Sequence, residues 1–120
     1  MTGAVDGLGR ALVPIRLKQP TTGKLLEMQA WIDTGFTGEL VLSKAIIDSF
    51  GLTRANVVKA ELGDGSEVVL DTYGCTLEWF GELKEIEALS STSDYPLLGV
   101  TLLKGHELLI DFKHDRVTVK

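Results

Sequence analysis

Asp33 is the residue most able to do chemistry in this chain. It stands in the run Ala30-Trp31-Ile32-Asp33-Thr34-Gly35-Phe36-Thr37-Gly38, at the end of an apolar strand and just before a glycine turn. Such a strand is expected to bury Ala30 and Ile32 on one side and Trp31 on the other, which leaves the carboxylate unexplained by packing. A buried, unpaired carboxylate costs several kcal/mol unless it is hydrogen-bonded, neutralised or given a partner. Two explanations compete. An Asp-x-Gly aspartate can cap its own turn, or it can be one half of a general acid–base site, in which water loses a proton as a carbonyl oxygen gains one.

Other reactive side chains offer less. His106 and His114 occur singly, with no partner at metal-ligand spacing. Cys75 lies in a strand-like segment with no neighbouring histidine and reads as a buried, inert thiol. No Gly-x-Ser-x-Gly or P-loop is present, which removes the common serine-hydrolase and nucleotide-binding readings. Trp31 and Trp79 read as core or interface residues without a catalytic role.

The elements that must position Asp33 are mostly strands. Ala11, Val13, Ile15 and Leu17 recur with a period of two, and Pro14, lacking an N–H, suggests an edge strand. A turn at 19–23 returns the chain through Lys24 to Ile32 and delivers Asp33. Leu40-Val41-Leu42 reads as a short buried strand. Ser43 then caps a helix over Lys44 to Phe50, ended by a left-handed Gly51. Val57 to Leu62 and Glu67 to Thr72 flank Gly63-Asp64-Gly65-Ser66, a hairpin turn; Tyr73 to Trp79 and Leu83 to Leu89 form a second hairpin. Ser90 to Asp94 reads as a polar loop. Glu107 to Phe112 and Arg116 to Val119 make a last strand pair. Residues 1 to 9 carry three glycines and little periodicity, and read as an arm.

With 120 residues, 44% hydrophobic and 24% charged, the chain is expected to fold as one domain. A net charge of −5 argues against a nucleic-acid partner, which needs a basic face. No apolar run approaches the ~20 residues of a membrane span, and Met1 to Gly7 lacks the pattern of a signal peptide. A single cysteine fits a reducing compartment, so a cytoplasmic location is expected.

Asp33-Thr34-Gly35 between apolar strands, the hairpin at 62–69, and Tyr95-Pro96-Leu97-Leu98-Gly99-Val100 ahead of a short helix come in the order of three landmarks of the retropepsin-like aspartic proteases. Over residues 10–120 the chain resembles the small single-domain bacterial members, which often read Asp-Thr-Gly-Phe-x-Gly. The resemblance implies an all-β acid-protease barrel with one or two short helices, one lobe per chain. It further implies an aspartic endopeptidase that needs no metal or organic cofactor. Only one Asp-Thr-Gly is present, so it also implies a homodimer in which each subunit supplies Asp33. At ~4 Å and an effective dielectric near 20, two carboxylates repel by about 4 kcal/mol, so one stays protonated while the other is charged.

By the same resemblance Thr34 braces the two loops across the axis, and Gly35 lets the backbone approach water and substrate. Phe36, Thr37, Gly63, Asp64, Gly65, Leu98 and Gly99 would contact a peptide or unfolded-protein substrate, with the 63–65 tip closing over it. The plain alternative for that tip is a hairpin turn with no gating role. Retroviral members carry acidic residues where this chain has Thr37 and Gly38, and an arginine where it has Val100, so their ion pair cannot form here. Thr101 is expected to cap the short helix. Phe36 is expected to narrow the site and favour small side chains. The rival reading, from another class, is a dimeric peptide-binding domain on the same fold with little or no hydrolysis.

Overall fold

The computed structural model describes residues 1–61 and 63–120; Leu62, assigned above to a strand end, lies outside the described residues. Ten strands and two short helices follow in the order β1 (Thr2–Val5), β2 (Ala11–Lys18), β3 (Leu25–Ile32), β4 (Leu40–Ser43), α1 (Lys44–Phe50), β5 (Arg54–Glu61), β6 (Glu67–Trp79), β7 (Glu82–Ser91), β8 (Leu97–Leu98), α2 (Val100–Leu103), β9 (Leu108–Asp111) and β10 (Arg116–Val119). They form one sheet in the order β5-β6-β7-β4-β8-β3-β2-β1-β10-β9, and β6 also pairs with β2 through Arg16↔Glu78 and Leu17↔Leu77. That second pairing wraps the sheet round on itself into a barrel-like body. Val13, Leu17, Ala30, Leu40, Leu42, Leu77, Ala88 and Leu98 lose all solvent contact inside it. No helix among the described residues is long and apolar enough to cross a membrane.

Local signals and tertiary pairing agree at α1. The Ser43 side chain accepts the Ile46 N–H, and Gly51 ends the helix at φ 64°, in the left-handed region a glycine occupies without strain. Elsewhere pairing overrides local pattern. Pro14 lies in an internal strand, not at an edge: β2 pairs with β3 along its length. Its other side is shared between β1, which pairs at Ala11 and Leu12, and β6, which begins at Arg16. Pro14 stands in the gap between those two ladders, where no N–H is required.

The segment read as an arm contains β1, which is held between β2 and β10, with the Met1 ammonium donating to Val119 O at 3.0 Å. Its glycine hides the strand period and has a packing reason: a Cβ on Gly3 would collide with the Leu12 carbonyl. The segments 67–72 and 73–79 are one 13-residue strand, because Thr72 and Tyr73 pair with β5 and β7 at once. Ser90 and Ser91 belong to β7 and not to a loop, since they pair with Leu42 and Ser43.

Candidate active site

Asp33 sits where β3 leaves the sheet. Its N–H donates to Leu98 O at 2.9 Å, extending the β3–β8 pairing, and its carbonyl accepts the Phe36 N–H at 3.1 Å. The loop is then fastened from the far side. Gly99 N–H donates to Glu39 O (2.9 Å), Val100 N–H to Phe36 O (2.9 Å) and Thr101 N–H to Gly38 O (3.2 Å). The Thr101 hydroxyl donates to Thr37 O. Thr101 therefore braces the Asp33 loop and does not cap α2, whose N-cap is Gly99 without any side-chain bond.

The Asp33 carboxylate is half-buried. Its Oδ1 accepts the Gly35 N–H at 2.9 Å, so the aspartate caps its own turn with that oxygen. The turn-capping and catalytic explanations are thus compatible. Gly35 has a direct reason to lack a side chain, since a Cβ there would lie 3.2 Å from Oδ1. Thr34 is exposed beside it.

Two hollows flank the loop. One, about 340 Å³, is lined by Trp31, Ile32, Asp33, Thr34, Ser93 and Leu97. The other, about 580 Å³, lies between the loop at Gly35–Glu39 and the β5 stem at Val58–Glu61, over Thr72, Glu87 and Leu89. Phe36 and Thr37 line this second hollow, as do residues of the hairpin stem. The tip residues Gly63, Asp64 and Gly65 are exposed and stand outside its lining. At the tip Gly65 has φ 86°, and the Asp64 carboxylate accepts the Ser66 hydroxyl and N–H. Those two bonds, the hydroxyl first, hold its carboxyl below the ordinary aspartate value.

Leu98 is fully buried, and its carbonyl accepts the Asp33 N–H. Gly99 is where backbone and ring come closest. A Cβ there would strike the Gly38 carbonyl and lie 2.6 Å from the Phe36 ring. One at Gly38 would lie 2.5 Å from the same ring. The Phe36 ring thus fills the space that a side chain at either glycine would need, at the edge of the hollow.

Trp31 departs from expectation: it is 39% exposed, on the face opposite buried Ala30 and Ile32. The Arg10 guanidinium lies 4.3 Å from the Tyr95 ring centroid and 5.8 Å from that of Trp31. Asp6 anchors the arginine at 2.7 Å. The Asp6 carboxyl is held below its ordinary value, first by the Arg10 N–H and then by its side chain. This Asp6–Arg10–Tyr95–Trp31 cluster beside Asp33 did not emerge from the sequence. The one available signal was the strand period, which puts Trp31 out of phase with the core residues around it.

The remaining reactive groups lie away from Asp33. Cys75 is buried and its thiol is pushed up to about 12, by burial first and then by the charges of Glu39 and Glu85. Trp79 is buried and its indole N–H meets His106 Nε2 at 3.3 Å, while His114 pairs with Asp111 at 2.8 Å.

No protein-family model and no curated protein matches this chain. Solved structures do. A retropepsin-like aspartic protease from Rickettsia conorii superposes with a TM-score of 0.68 at 16% identity, covering 99% of this chain and 88% of that one. The simian foamy virus (mac) protease gives 0.56 at 22% identity over 77% and 90% of the two chains. The retroviral protease-like domain of Ddi1 from Leishmania major gives 0.53 at 17%, over 92% and 88%. At these identities the likeness speaks for architecture, and the architecture of this chain is the retropepsin-like fold.

Proposed function

We propose that the chain is an aspartic endopeptidase that works as a homodimer on extended peptide segments. The observation that carries this reading is the setting of Asp33. Its carboxylate stands half-exposed between two hollows, on a loop fixed by backbone hydrogen bonds to β8 and α2, in a retropepsin-like fold. One such carboxylate cannot serve as acid and base together, so the second comes from Asp33 of another copy. Mutual repulsion keeps one of the two protonated. The ionised one takes a proton from a water held between them as that water attacks the scissile carbonyl. The protonated one supplies a proton to the carbonyl oxygen.

Thr34 and Gly35 keep the two loops in place, and the second of these leaves room at the carboxylate. The β5–β6 hairpin covers an extended substrate lying along the larger hollow, beside Phe36, Thr37 and Gly99. Its tip at Gly63, Asp64 and Gly65 closes on the bound chain and excludes water. The smaller hollow, lined by Trp31, Ile32 and Leu97 beside Asp33, takes an apolar side chain next to the scissile bond.

A peptide carrying a statyl-type mimic of the tetrahedral intermediate tests the reading. The wild type is expected to bind it far more tightly than the parent peptide, and Asp33→Asn is expected to abolish that preference. Equal affinity of wild type and Asp33→Asn for both peptides would favour a peptide-binding domain without hydrolysis.

A further inference from the structure

Two carboxylates stand on the floor of the larger hollow. β4 and β7 run parallel with Leu40 opposite Ala88, which sets Glu39 beside Glu87. Leu40, Ile86 and Ala88 are buried in the core, so the strand period turns Glu39, Glu87 and Leu89 to the other face, where all three line the hollow. The Glu87 N–H donates to a carboxylate oxygen of Glu39 at 3.4 Å.

Hydrogen bonds fix this pair without neutralising it. Glu87 accepts the Asn56 side-chain N–H at 3.0 Å on one oxygen and the Thr72 hydroxyl at 3.2 Å on the other. Thr72 is buried and its oxygen also accepts the Asn56 backbone N–H, which ties the anchor to β5. These donors are uncharged, so they set the direction of the carboxylate and leave its charge in place. Among the described residues no arginine, lysine or histidine lies within ion-pair distance of Glu39 or Glu87. Lys59 and Glu61 line the β5 wall of the hollow and offset each other. Like charges on neighbouring strands destabilise a sheet, a cost that a cation from outside would remove.

We propose that Glu39 and Glu87 form a subsite for a basic side chain of the substrate, a lysine or an arginine, and so set which peptides the chain takes. The inference deepens the protease reading and rests on it. The hollow, about 580 Å³, has room for either side chain. Phe36, Val58, Ala60 and Leu89 line it for the aliphatic stem, and the carboxylates at its floor meet the charged head. Gly35 lines it too, so the basic residue lies within a few residues of the bond that Asp33 attacks, outside the smaller hollow. A glutamate at that place in the substrate is repelled, which makes the subsite a filter as well as an anchor.

A set of statyl-type peptides tests it, carrying lysine, norleucine or glutamate at each position in turn around the statyl unit. Affinities are read by isothermal titration calorimetry, and norleucine keeps the stem of lysine without the ammonium. At one position the wild type is expected to favour lysine over norleucine about tenfold or more. That ratio is expected to fall to within about threefold of unity when Glu39→Gln and Glu87→Gln are combined, and Glu87→Lys is expected to favour glutamate there. Glu39→Gln alone, which keeps the Asn56 and Thr72 bonds to Glu87, is expected to lower the ratio about threefold. Absence of a lysine preference at every position, or one that survives both substitutions, would overturn the inference. Asp33-dependent binding of the same peptides would then leave the protease reading standing. A lysine preference that follows the two glutamates, yet is indifferent to Asp33→Asn and to the statyl unit, would sustain the subsite and defeat hydrolysis. A wild type that binds none of the peptides would overturn both.

Discussion

Asp33 is positioned by backbone groups more than by side chains, and that makes the glycines around it the sensitive residues. Gly99 lies against the Gly38 carbonyl and the Phe36 ring, with no space for a methyl group. Gly99→Ala is expected to cost about 2–4 kcal/mol, because neither backbone nor ring can move aside without breaking the bonds that hold Asp33. Urea denaturation measures this, and loss of mimic binding should accompany it. The sequence singled out Asp33, Gly35 and Gly99, and the structure brings all three to one loop. That Gly99 must pass close to Gly38 and Phe36 depends on a contact between distant segments that the sequence does not display. Trp31, Tyr95 and Arg10 were not legible as a group: they come from three distant segments and meet only once β2, β3 and β8 lie side by side.

The short elements obey their own residues. Ser43 and Gly51 bound α1 as their types require, and the tight turns carry residues at positive φ, among them Gly65 and Gly81. Ser43→Ala is expected to lower stability by about 1 kcal/mol, through loss of the bond to Ile46 N–H. Among the described residues no hydrogen bond joins the helix to the Asp33 loop, so mimic binding should be unchanged; a fall in both would show that α1 helps to shape the site. Where local rules failed, a distant partner was the cause. Pro14 suggested an edge, yet the gap it needs lies inside the sheet. β1 was hidden by Gly3, whose smallness serves the close passage of Leu12.

Taken whole, the molecule is a retropepsin-like body whose sheet ends at β5 and β9 among the described residues, and on the proposed reading it carries one of two carboxylates. Residues 58–61 of β5 line the larger hollow. The order of landmarks along the chain was enough to anticipate this architecture. The exposure of Leu109 and Phe112 was not legible, because it is settled only by where the sheet stops. The central claim is hydrolysis by paired Asp33 carboxylates. The most direct measurement is cleavage of an unfolded peptide mixture, read by mass spectrometry, for wild type and Asp33→Asn at mildly acidic and neutral pH, with dimerisation verified in the same samples. The account predicts defined cuts by the wild type that vanish in the variant; cuts that persist in Asp33→Asn, or none from a verified wild-type dimer, would contradict it.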